Sequence, residues 1–100
     1  PVEEPINPAD VVQADTAEPG PPLSVDRSKQ KQTVNCTKYN QVMINGKESE
    51  VAIKGVCRQI MVNGDRNRIT ADAASEIIFN GYDNELRYSR FANGRRPVIT

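Results

Sequence analysis

One hundred residues limit the chain to one small domain, and its 13 basic and 13 acidic side chains cancel. The absence of His and Trp excludes a His-based catalytic triad and any His-ligated metal centre, and two cysteines alone cannot complete a structural zinc site. No apolar run approaches the ~20 residues that a membrane-spanning helix needs.

In chain order, residues 1–30 come first and hold six of the seven prolines. Six acids there (Glu3, Glu4, Asp10, Asp15, Glu18, Asp26) face only Arg27 and Lys29, a net charge of −4. Large apolar side chains are few, so the segment cannot bury enough surface to offset its ordering entropy. It reads as a disordered, acidic, Pro-rich arm, first of all a simple spacer; the alternative is a docking peptide that acts through Val11-Val12 or Leu23-Ser24-Val25. The start at Pro1 rather than Met reads as a processed or trimmed chain.

Residues 31–100 are expected to form a β-repeat domain, with 11 basic and 7 acidic side chains. Three units share one pattern: Val42-Met43-Ile44-Asn45-Gly46, Ile60-Met61-Val62-Asn63-Gly64 and Ile77-Ile78-Phe79-Asn80-Gly81. Each continues through two variable residues and a Ser or Asn (Ser49, Asn67, Asn84) into an alternating strand. The glycines lie 18 and 17 residues apart, and each unit reads as strand, tight bend, strand. Asn-Gly suits the bend because both residues tolerate positive φ. The only helix-friendly stretch, Thr70 to Glu76, is short enough to be a connector.

Two all-β architectures fit. One is an antiparallel hairpin meander closed at Asn-Gly; the other is a short β-solenoid of parallel stacked coils, each 17 or 18 residues long. In-register stacking puts Glu48, Arg66 and Asp83 in one column and Glu50, Arg68 and Glu85 in another. Both columns alternate in sign, so every neighbouring pair attracts. Two-residue hairpins would instead put Lys47, Asp65 and Asn67 on the apolar face, so the solenoid is favoured. It turns Val42, Ile44, Ile60, Val62, Ile77 and Phe79 inward from one wall. From the other wall it turns in Val51, Ile53, Ile69, Leu86 and Tyr88. Asn45, Asn63 and Asn80 then stack at one corner position, and Ser49, Asn67 and Asn84 at another.

Cys36 and Cys57 lie 21 residues apart, about one coil. A bridge between adjacent coils is geometrically reasonable, and a core this small gains from it. Such a disulfide points to an oxidising compartment; the other reading is a pair of reduced core thiols. Asn35-Cys36-Thr37 formally fits a glycosylation acceptor. The bend residues Asp65, Asn67, Asp83 and Asn84 match neither an EF-hand nor a calcium-binding repeat, so no metal and no cofactor is expected.

Cys36, Gly55-Val56-Cys57, the three Asn-Gly units and the closing Gly94-Arg95-Arg96-Pro97 resemble, over residues 34–100, a family of small bacterial exported proteins and lipoproteins of uncharacterised function. Members carry two cysteines, repeated G-x-x-N units and a terminal G-x-x-P; Ser49 departs from that pattern. The resemblance implies export, periplasmic or secreted and with lipid anchoring open, and a short β-rich fold. It implies no activity and carries over no catalytic residue.

The apolar triplets have a further consequence. Strand alternation should leave their middle residues polar if the outer face met water, yet Met43, Met61 and Ile78 form an outward apolar column. Its cover is expected from the arm, from residues 89–100, or from another chain. Arg87, Arg90, Arg95 and Arg96, with Tyr88 and Phe91, mark a second edge, of which Arg95 and Arg96 are the candidate partner contacts. The charge is too mild and mixed for nucleic acid. The expected function is a non-enzymatic binding or structural module of the bacterial envelope, meeting another protein or a second copy. The alternative is an inhibitor or immunity-type protein that plugs another protein's site with the arm or the arginine edge. A hydrolase built on Asp65 and Asp83 is disfavoured, because both lie in polar bends beside arginines.

Overall fold

The computed structural model describes residues 5–100; Pro1 to Glu4 of the expected arm lie outside that range. The strands are β1 (Val11–Val12), β2 (Leu23–Val25), β3 (Lys31–Cys36), β4 (Gln41–Ile44), β5 (Glu50–Cys57) and β6 (Gln59–Val62). They continue with β7 (Arg68–Ala74), β8 (Glu76–Phe79), β9 (Glu85–Tyr88), β10 (Phe91–Ala92) and β11 (Val98–Ile99). All their pairings are parallel. The chain is an all-β solenoid of about four turns, and the hairpin meander is excluded. The first face is the sheet β2-β4-β6-β8-β11, in stacking order, and the second is β3-β5-β7-β9. The ends of β5 and β7 turn onto a narrower third face, continued by β10 and β1.

Each rung repeats the one before it. Val42 stands on Ile60 and Ile60 on Ile77, while Val51 stands on Ile69 and Ile69 on Leu86. These columns fill the interior, where Ile44, Ile53, Ile60, Ile69 and Ile77 are fully enclosed. The small residues Ala71, Ala73 and Ala74 are buried too. Thr70 and Ala71 pair with β5 and β9 on the second face, and Ala73 and Ala74 suit the narrow third face, which is why Thr70 to Ala74 continues β7 instead of forming a helix-friendly connector.

The corner reverses one expectation. Positive φ falls not on the three repeat pairs Asn45-Gly46, Asn63-Gly64 and Asn80-Gly81 but on Lys29, Glu48, Arg66 and Asp83, at φ of 55 to 58°. The corner glycines are needed for close stacking instead. A Cβ on Gly64 would lie 1.9 Å from the Gly46 carbonyl oxygen, and one on Gly81 1.9 Å from that of Gly64.

Inside the corner the amides of Asn67 and Asn84 act as staples. Asn67 Nδ2 donates to the Gly46 carbonyl at 2.8 Å, and Asn67 Oδ1 accepts from the Ser49 N–H at 3.0 Å. Asn84 repeats both bonds one rung on, with Gly64 and the Asn67 N–H.

The arm expectation is corrected for part of its length. Leu23–Val25 pairs with Val42–Ile44 in full register, and Val25 is buried. Residues 23–30 are therefore a first corner unit, in which Asp26-Arg27 stands where later rungs have Asn-Gly. Arg27 is tolerated because, in the described chain, it opens the stack, with no earlier corner carbonyl for its Cβ to meet. Val11–Val12 pairs with Phe91–Ala92 at the opposite end. Residues 13–22 thus form a strap along the third face. It is tied where Ala14 N–H donates to Asn93 Oδ1 and where Gly20 N–H donates to the Lys38 carbonyl. Crossing about four rungs of ~4.8 Å each is within reach of such a segment.

Asn67→Ala should lower unfolding free energy by about 2–3 kcal/mol in urea titration, because it orphans a buried carbonyl and a buried N–H. Asn63→Ala, on the outside of the same corner, should cost under about 1 kcal/mol.

Candidate functional site

The solenoid has three faces. The strap occupies the third. The second presents charged columns: Lys31 Nζ lies 3.7 Å from Glu50, Arg66 Nη2 lies 3.8 Å from Glu48, and Arg68 Nε lies 3.9 Å from Glu85. All of these groups are largely exposed, so each pair contributes about 0–1 kcal/mol. This face reads as a solvated surface whose charges enforce register.

The first face differs. Its outward residues form three parallel rows. The middle row is apolar: Met43 stands on Met61 and Met61 on Ile78, all three half-buried. On one side, Gln41 Nε2 donates to Gln59 Oε1, and Gln59 Nε2 donates to Glu76 Oε1 at 2.6 Å. On the other, Asn80 Nδ2 donates to Asn63 Oδ1 at 2.9 Å, and Asn63 Nδ2 to Asn45 Oδ1 at 2.8 Å. Asn45 Nδ2 completes that row by donating to Asp26 Oδ1 at 2.7 Å. The two amide rows hold the face regular, so a partner meets a rigid apolar strip with a polar rim on each side.

The expected intrachain covers lie elsewhere. The arm reaches the edge of the first sheet through β2, the strap runs along the third face, and β11 adds to the sheet edge beside β8. None of these pairings crosses the row of Met43, Met61 and Ile78.

The arginine edge is split. Arg95 is exposed near the end of the stack. Arg96 sets its guanidinium 5.6 Å above the Phe91 ring, and Phe91 makes an edge-to-face contact with Tyr88 at 5.9 Å. Both arginines line a cleft of about 500 Å³ together with Thr16, Tyr39 and Ser75. The structure therefore does not bring Arg95 and Arg96 onto the face that carries Met43, Met61 and Ile78.

Cys36 and Cys57 form a disulfide with Cα atoms 5.3 Å apart. It joins successive rungs across the bend at Gly55, whose φ of +83° and approach to the Cys36 carbonyl exclude a side chain. Asp65 Oδ1 accepts from the Tyr82 N–H at 2.9 Å, a structural task at the corner. Among the described residues no cluster of His, Cys, Asp or Glu is placed to hold a metal ion.

Sequence reasoning missed the row Gln41, Gln59 and Glu76. Its signal was present, since each residue precedes an apolar triplet at the same offset, or adjoins one through it, as the repeat period dictates. The strap carried no such signal.

A family described as "Protein of unknown function (DUF3060)" matches residues 44–99. The match spans more than half of the chain and contains Cys57, while Cys36, the first rung and the strap precede it. No curated protein and no solved structure matches the chain.

The strap yields a prediction. Val12 packs with Val56, Ala73 and Ala92 at the third face. Val12→Asp should release residues 13–22 and speed cleavage between residues 13 and 18 about tenfold in timed proteolysis, while the midpoint of thermal unfolding falls only a few degrees.

Proposed function

The chain belongs to the DUF3060 family of proteins of unknown function, and from that premise we propose that it is a non-enzymatic binding module that meets another protein through the outward side of its first face. One observation carries the reading: Met43, Met61 and Ile78 form a continuous apolar row on a face where strand alternation would otherwise place polar side chains. Methionine adapts its shape to different surfaces, and the amide rows on either side hold the strands beneath it in register.

The disulfide supports an exported setting, because such bonds persist in oxidising compartments and are rare where thiols are kept reduced. We therefore place the module in the bacterial envelope, periplasmic or secreted. The contact residues are Met43, Met61 and Ile78, with the flanking amides as the polar rim.

Site-directed photocrosslinking tests this. A benzophenone side chain at position 43 should give a discrete adduct in envelope extract, and the same group at position 70 on the second face should not. Met61→Asp in the position-43 probe should reduce the adduct at least tenfold while the circular dichroism spectrum is unchanged. Equal adducts from positions 43 and 70, or an adduct indifferent to Met61→Asp, would overturn the proposal.

A further inference from the structure

Among the described residues the second face has strands on one rung fewer than its neighbours, and residues 5–10, which lead into β1, bond locally and make no hydrogen bond to β9. Beyond the fourth rung, β11 extends the first face and β1 extends the third. On the second face β9 is the last strand, and among the described residues no strand pairs with its far edge. The inward side chains record the gap. Leu86 and Tyr88 in β9 are half-buried, whereas Val51, Ile53, Ile69 and Ala71 in the same two columns are at most 3% exposed. An unpaired parallel edge with apolar inward residues is a template for strand addition.

The charge columns specify what fits it. Rung by rung they read Lys29, Glu48, Arg66, Asp83 at the corner, and Lys31, Glu50, Arg68, Glu85 beside it. The acidic second rung thus lies between two basic rungs. The acidic fourth rung has a basic neighbour on one side only. Strand β7 shows the fit on the other acidic rung: Arg68 stands on Glu50, Ile69 on Val51 and Ala71 on Ile53.

We propose that the free edge of β9 accepts an extended segment of a partner protein, running parallel, with two basic residues spaced i, i+2 over Asp83 and Glu85. Apolar side chains at i+3 and i+5 lie over Leu86 and Tyr88. Main-chain hydrogen bonds supply the affinity, and the basic pair sets the register, since a slip of one residue would turn the apolar side chains outward. Glu85 also touches Arg68 and Arg87 at 3.9 and 3.0 Å, yet about half of its side chain, 49%, remains exposed. This site stands apart from the first face and does not depend on the function proposed there.

The probe is a labelled synthetic peptide of residues 66–73, whose sequence already pairs with an acidic rung in this fold. Fluorescence polarisation with the full chain should show saturable binding. Amide chemical-shift changes should concentrate on residues 83–88. The paired change Asp83→Lys and Glu85→Lys should weaken binding at least tenfold. A peptide with Arg66→Glu and Arg68→Glu should fail on the unaltered protein and bind the doubly altered one, a rescue that a folding defect cannot produce. No binding at millimolar peptide, charge-indifferent binding, or shifts centred on Met43 and Met61 would overturn the proposal. Lys29 and Lys31 have the same spacing, so concentration-dependent self-association abolished by Lys29→Glu with Lys31→Glu would overturn the partner assignment in favour of a second copy.

Discussion

The structure depends on one constraint: in a parallel stack that holds its register, broken only by the one-residue shift between Ile53 and Val56 of β5, each side chain lies directly on its counterpart one rung away. A column must therefore tolerate its own repetition. Aliphatic columns do so by close packing, and they form the interior. Amide columns do so because each Asn or Gln is both donor and acceptor. A charged column cannot repeat one sign, so sign must alternate, as it does in both charged columns at the edge of the second face. The corner glycines answer the same constraint, because neighbouring backbones approach too closely there for a Cβ.

That constraint also explains how the polar rows terminate. The Asn row donates toward the first rung and ends on Asp26, whereas the Gln row donates the other way and ends on Glu76. A ladder of amides leaves one acceptor role open at the end it points to, and a carboxylate fills it without bringing a surplus N–H. The opposite polarities put one carboxylate at the first rung and one at the fourth. Each exposed ion pair contributes little to stability, so the value of the alternating columns lies in register. A shift of one rung would set like charges together along the whole edge of the second face.

Much of this was legible because repetition is visible in a string of letters. The Asn-Gly triplets disclosed the period, and the period located the columns, the signs and the apolar outer row. What escaped notice lacked that signature. The first rung was hidden because Asp26-Arg27 replaces Asn-Gly, a substitution allowed only where the stack begins. The strap was hidden because its ordering comes from a few bonds at distant points, such as Ala14 to Asn93 and Gly20 to Lys38. No local composition rule detects those bonds. Positive φ was assigned to the Asn-Gly pair by turn chemistry, whereas stacking placed it on the charged residue two positions beyond the glycine.

The two surfaces singled out for contact follow from a single property of solenoids, namely that repetition solves the interior and leaves faces and ends to be settled separately. On the faces, charge and amide rows are already satisfied within the stack, so they offer a partner little that water does not. An outward apolar row is different: nothing in the repeat satisfies it, and its only gain is through contact. At the ends, a strand edge has unpaired backbone groups whatever its side chains are. The first rung reduces that hazard with polar residues at positions that are apolar or glycine elsewhere, Gln32 where later rungs have Val51 and Ile69, and Arg27 where they have Gly46 and Gly64. Among the described residues the fourth rung shows no such blunting on the second face, where Leu86 and Tyr88 keep the interior pattern up to the last strand. An edge that retains the pattern of the interior is suited to one more strand.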